Sequence, residues 1–102
     1  LGELLEKHPE ANGIVCTNDD LAIGAFYECV RRGIQVPQDM AIAGFHGHDI
    51  TLAMTPRLAT VITPREQIGL VAAQEIVNRL KGQPEWQSKI DLGYEIEVGE
   101  SI

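Results

Sequence analysis

The sequence predicts an α/β fold built on an open, mostly parallel sheet. Short apolar runs of strand length alternate along the chain with longer stretches of helical periodicity, and the boundaries between them carry clear helix start and stop signals. Alternation of that kind favours a parallel sheet with right-handed crossovers. The composition agrees, because 44% apolar and 23% charged residues in a chain of 102 describe an ordinary globular domain rather than a disordered tail.

Leu1, Leu4 and Leu5 predict one or two helical turns that end before Pro9, and Asn12-Gly13 marks a turn. The continuous run of residues 13–17 then reads as a central strand covered on both faces. Asn18 is placed to cap a helix over residues 19–32, with Asp19 and Asp20 in its first turn and Arg31, Arg32 and Gly33 at its end, as the helix dipole favours. Leu21, Ala22, Ala25 and Cys29 fit its sheet-facing side, which leaves Ile23, Phe26, Tyr27 and Val30 as a second apolar strip.

After a loop at 34–39, residues 40–45 predict a second buried strand. Residues 46–56 form a connection with a helical turn at 50–54, and residues 59–62 form a third strand. From Pro64 to Lys81-Gly82, the positions Ile68, Gly69, Ala72, Ala73, Ile76, Val77 and Leu80 define one broad helical face. A polar loop over 83–88 leads to residues 90–98, where Ile90, Leu92, Tyr94, Ile96 and Val98 alternate with polar neighbours as in a half-exposed strand.

In such sheets ligands sit beyond the carboxyl ends of the strands. Those ends are Thr17-Asn18-Asp19, Phe45-His46-Gly47-His48-Asp49 and Thr63-Pro64-Arg65, which hold most of the unusual polar residues of the chain.

The charge excludes one class of partner for the segment itself. With 15 acidic and 8 basic residues the net charge is −7, whereas a grip on phosphate backbones needs clustered Lys and Arg. No apolar run nears the roughly 20 residues that span a bilayer. Cys16 and Cys29, in apolar segments without metal-ligand spacing, read as buried thiols of a reducing compartment, so a cytoplasmic location is expected. The start at Leu1-Gly2-Glu3, without Met or a signal-like region, is expected to be that of a fragment.

Three strings in order, Thr17-Asn18-Asp19-Asp20-Leu21-Ala22-Ile23-Gly24-Ala25, the stretch from Gly33-Ile34-Gln35-Val36-Pro37 to Ala43-Gly44-Phe45, and Pro56-Arg57-Leu58-Ala59-Thr60-Val61, resemble the C-terminal signature of the LacI/GalR repressors. The loop Gly44-Phe45-His46-Gly47-His48-Asp49-Ile50, with Thr63-Pro64-Arg65-Glu66 and the final Ser101-Ile102, further resembles gluconate-responsive members of that family. The resemblance implies an incomplete C-terminal portion of a type I periplasmic-binding-protein-like fold. Residues 1–62 would be the second half of the C-terminal lobe, 63–88 a crossover and helix of the N-terminal lobe, and 89–102 the returning strand.

It also implies a non-enzymatic function: binding a small sugar or sugar acid between two lobes, homodimerisation, and allosteric control of operator DNA through a helix-turn-helix headpiece outside this segment. No cofactor, metal or membrane partner is implied. The same fold serves periplasmic sugar-binding proteins of transporters, which is the alternative.

Four residues are expected to bind effector. Asn18 has an amide able to donate to and accept from a sugar hydroxyl, with a plain helix cap as the other reading. His46 stands where most members of the family have an aspartate; exchanging an anion for an imidazole relieves repulsion of an acidic ligand. Arg65 offers a guanidinium to a carboxylate or a salt bridge to Glu66, and Thr63 offers a polar contact or a cap before Pro64. Ile23, Phe26 and Met54 match the positions of the family's dimer contact.

Other polar groups invite blander readings. His46, His48 and Asp49 fall short of a metal-ligand set. Asp19 and Asp20, pointing about 100° apart on a helix, fit dipole stabilisation better than paired catalysis. Ser88 and Ser101 lie in polar contexts, so no nucleophile and base pair is expected.

Overall fold

The structure, a computed structural model, describes residues 1–83 and 89–102. Its elements are α1 (Gly2–Lys7), β1 (Gly13–Val15), α2 (Asp19–Arg32), β2 (Ala41–His46), α3 (Asp49–Ala53), β3 (Ala59–Ile62), α4 (Arg65–Leu80) and β4 (Glu95–Glu97). Residues 84–88 of the expected polar loop, Ser88 among them, lie outside the described residues. The chain divides into a first unit, Leu1–Ile62 with Glu95–Ile102, and a second, Thr63–Tyr94.

In the first unit the strands form one sheet in the order β1-β2-β3-β4, with β1, β2 and β3 parallel and β4 antiparallel to β3. This is the mostly parallel open sheet that the pattern predicts. Residue pairing is Ile14 with Ile42, Gly44 with Thr60 and Ile62 with Glu95. A core of Ala22, Ala25, Cys29, Met40, Ile42 and Leu58 lies between α2 and the sheet, with Leu1, Leu5, Phe26, Ile34 and Met54 partly buried against it.

Helix α2 has the ends its sequence specifies. The Asn18 side chain accepts the Leu21 N–H at 2.9 Å, and Gly33 closes the helix in the left-handed region at φ 72°, its N–H shared between the carbonyls of Cys29 and Val30. The small side chains of Ala22, Ala25 and Cys29 allow a close approach to the sheet. Leu21, expected on that side, is instead 57% exposed, since the first turn already directs Asp19 inward.

Three further expectations are corrected. Strand β1 is an edge, not a central strand, and Val15 on it is 84% exposed. The last strand covers only Glu95–Glu97 rather than 90–98; the Asp91 carboxylate accepts the Gly93 N–H at 2.8 Å and Gly93 turns to φ 70°, which ends any extended run before residue 94. Ser101 is wholly buried rather than in a polar context. Its hydroxyl accepts the Ala59 N–H at 2.7 Å and donates to the Ile42 carbonyl at 2.6 Å, while its own carbonyl accepts the Ile42 N–H at 2.8 Å. The C-terminal tail thus ties the starts of β2 and β3 together.

The second unit consists of α4 and the segments after it. Pro64 occupies the cap position, one residue before the helix, where its missing N–H costs no hydrogen bond. The broad apolar face of α4 is not buried by the described residues: Ile68, Leu70, Ile76, Val77 and Leu80 are all exposed. An open groove of about 350 Å³ runs between Ile68, Val71, Ala72 and Glu75 on α4 and Ile90, Asp91, Leu92 and Gly93.

Candidate ligand site at the strand ends

The carboxyl ends of β1 and β2 bring Asn18 and His46 to the same edge of the first unit. Asn18 is half-buried, with its side-chain oxygen engaged as the cap of α2 and its amide nitrogen left for other partners. His46 ends β2 in an unusual backbone conformation. At φ 110° it is the sole non-glycine residue with positive φ among the described residues, and such positions cluster at functional sites because the surroundings must hold them there. Its ring meets Phe45 edge-on at a centroid distance of 5.1 Å and lies nearly parallel to the His48 ring at 6.2 Å and 16°.

His48 in turn faces Asp20, Nδ1 to Oδ1 at 3.5 Å, an ion pair when the imidazole is protonated. Two imidazoles and an amide at one sheet edge form a surface suited to hydroxyl and carboxylate groups. Among the described residues no three His, Cys, Asp or Glu side chains are arranged to hold a metal ion.

Beneath this edge lies a residue that the dipole argument undervalued. Asp19 is fully buried; its carboxylate accepts the Thr60 hydroxyl at 2.7 Å on one oxygen and the His48 N–H at 2.7 Å on the other. Gly44 makes room for it, because a Cβ there would overlap Asp19 Oδ1. A glycine within a strand run was the sequence signal for such close approach.

Thr63 and Arg65 belong to the second unit. Thr63 is half-buried and its carbonyl accepts the Arg65 N–H at 2.8 Å, while the Arg65 side chain is exposed at the start of α4. Of the expected dimer residues, Phe26 and Met54 come together. With Tyr27, Ile50, Ala53 and Thr55 they line an open groove of about 340 Å³ in the first unit. Ile23 is half-buried outside that lining.

Both thiols are set back from reactivity, Cys29 fully buried and Cys16 half-buried. Burial pushes both above the usual thiol range, which lowers the thiolate fraction. A larger groove of about 580 Å³ follows the β1 edge past Ile14, Val15, Thr17, Asp20 and Leu21; it is not lined by Asn18 or His46. No helix among the described residues is long and apolar enough to cross a membrane.

Comparison with known proteins decides the family. The model of the periplasmic binding protein-like domain matches residues 1–102. The chain belongs to this family. Within it, the chain is similar to LacI-type regulators. It is 51% identical over 96 residues to the HTH-type transcriptional regulator GntR of Escherichia coli K12, covering 94% of this chain and 29% of that protein.

Among solved structures, the transcription regulator GntR from Chromobacterium violaceum superposes with a TM-score of 0.88 at 37% identity, covering 98% of this chain and 37% of that one. A LacI family transcriptional regulator from Arthrobacter sp. FB24 in complex with lactose gives 0.80 at 28% identity, over 97% and 38%. The chain therefore spans under a third of the E. coli regulator. These periplasmic-binding-protein-like relatives are transcription regulators, not enzymes, in keeping with the resemblance read from the three motif strings.

Proposed function

We propose that this chain is the effector-sensing and dimer-forming part of a LacI-type transcriptional repressor acting in the cytoplasm, and that its effector is a small polyhydroxy acid of the gluconate type. In this reading residues 1–62 and 89–102 belong to the C-terminal lobe of the sensing domain, and residues 63–88 to the N-terminal lobe. Effector binding favours one state of the dimer and so alters the geometry of DNA-binding headpieces carried elsewhere in the polypeptide; only a difference in affinity between states can do this.

The observation that carries the proposal is the imidazole of His46 at the carboxyl end of β2, beside His48 and at the sheet edge where Asn18 caps α2. A carboxylate there would repel an acidic ligand, whereas an imidazole carries no negative charge and can accept or donate hydrogen bonds. Asn18 supplies an amide for hydroxyl groups. Thr63 and Arg65 enter by their positions in the family pattern, Arg65 as the partner of the ligand carboxylate. Phe26 and Met54 of the groove on α2 and α3, with Ile23, are the proposed dimer contact.

The test is calorimetric titration of the intact polypeptide with gluconate, 2-ketogluconate, a neutral hexose and a purine. A sugar acid is expected to bind tightest. Tight binding of the neutral hexose with none of either acid would overturn the roles of His46 and Arg65. Replacing Arg65 by Ala is expected to weaken the acid by about 1.5–3 kcal/mol, the scale of a charged hydrogen bond.

A further inference from the structure

A carboxyl group removed from solvent needs hydrogen-bond partners for its oxygens. Asp19 takes them from two different strand ends: Thr60 on β3 and the backbone of His48 after β2, each at 2.7 Å. The Thr60 hydroxyl also accepts the Gly47 N–H at 3.3 Å, so a single side chain links Asp19 to the residue directly after His46. Residues 47 and 48, directly after the positive-φ His46, are thus held from below by α2 and β3. Nothing else in the proposed mechanism uses Asp19 or Thr60, and both are buried too deeply to meet a ligand.

We propose that Asp19, acting through Thr60, is a positioning residue for the ligand site, setting the backbone of residues 47–48 and thereby the direction of the His46 imidazole. The proposal rests on the reading of His46 as an effector contact. Its competitor is a staple that stabilises the fold and nothing more. The two differ in whether loss of the Thr60 hydroxyl depends on His46 being present.

The experiment is a double-variant cycle in the intact polypeptide, read by titration with gluconate, on the parent, Thr60→Val, Thr60→Ser, His46→Ala and His46→Ala with Thr60→Val. Thr60→Val keeps the side-chain shape and removes the donor to Asp19; Thr60→Ser keeps the hydroxyl. Thr60→Val is expected to weaken gluconate about tenfold, Thr60→Ser by less than about threefold, and Thr60→Val in the His46→Ala background by less than about threefold. An equal loss in both backgrounds, or no loss from Thr60→Val, overturns the proposal.

The same variants are read without ligand through the His46 ring proton resonances, assigned by their disappearance in His46→Ala. Positioning requires those resonances to move in Thr60→Val and to return in Thr60→Ser. If gluconate does not bind, or if His46→Ala binds it like the parent, the effector reading of His46 falls. The resonances then report on the ring alone: unmoved His46 signals in Thr60→Val overturn the inference, and shifted signals restored by serine sustain the setting of the His46 ring by Asp19 and Thr60 while its role toward a ligand falls with that reading.

Discussion

Helices α2 and α4 carry similar promises in sequence and meet different fates. Each starts soon after the carboxyl end of a parallel strand, and each shows apolar residues at helical spacing. In the first unit α2 buries Asp19, Ala22, Ala25 and Cys29, whereas in the second unit α4 buries none of its residues. Periodicity reports that a helix has an apolar face, not that a cover for it is present. The buried positions of α2 are also small, which suits close packing on a sheet, while the exposed face of α4 is built from Ile, Leu and Val, which contribute most when covered.

The contrast is sharpest in its energetic consequence. Truncating Leu58, fully buried in the first unit, to Ala is expected to cost about 2–5 kcal/mol in a urea titration of the chain, the range for a core cavity. Truncating Ile76, 60% exposed on α4, is expected to stay within about 0.5 kcal/mol. Equal costs would mean that the face of α4 is covered in solution and would break the comparison. A longer polypeptide in which only the Ile76 cost rises would locate the missing cover outside residues 1–102.

A middle-sized effect tests whether the first unit depends on its tail as much as on its core. Ser101→Ala removes the acceptor of the buried Ala59 N–H and a donor to the Ile42 carbonyl. The expected loss is about 1–3 kcal/mol in the same titration, the scale of a buried group left unsatisfied. A neutral result would show that water replaces the hydroxyl. Asn18→Ala, at the start of α2, is expected to cost about 1 kcal/mol of stability as a lost cap. Asn18→Ser, which keeps a cap acceptor without the amide and adds no charge, separates the roles: retained stability with weakened gluconate binding makes Asn18 a ligand contact, and unchanged binding leaves it a cap alone.

These residues also mark how far the sequence was legible. The parallel order of β1 to β3, both ends of α2 and the place of Asn18 and His46 at one sheet edge follow from local signals, because strand length, capping and crossover rules act over a few residues. Ser101 was illegible for the opposite reason, since its hydroxyl partners lie 42 and 59 residues away and nothing beside it indicates burial. Asp19 was read as a dipole partner because an acid in the first turn satisfies that rule whether it faces water or the sheet; only Gly44, opposite it, hinted at the second. The alternation over residues 90–98 misled because the Asp91-Gly93 turn outweighs it. The groove joining Phe26 and Met54 was half legible: the apolar strip on α2 was visible, but its meeting with α3 depends on tertiary packing.

The smallest expected effect lies on the outer face of the same helix that supplies the core. Glu28 receives Arg31 Nε and Nη2 at 2.8 and 2.6 Å and Arg32 Nε at 2.5 Å. Hydrogen bonds from Arg31 and then Arg32 hold its carboxyl down from an ordinary 4.5 to about 2. A folded-state value below the unfolded one gives stability that is complete above the unfolded value and is lost as pH falls through the folded one. The contribution is therefore expected to be full at pH 6, to shrink below about 4.5, and to vanish near 2. Because these side chains reach solvent, salt screens much of the attraction and the effect is small. Comparing melts of Glu28→Gln and the parent from pH 6 to pH 2 checks it: the gap between them should narrow only below about 4.5, and more so at low ionic strength. A gap constant across that range would mean that Glu28 acts through packing over α2 and not through its charge.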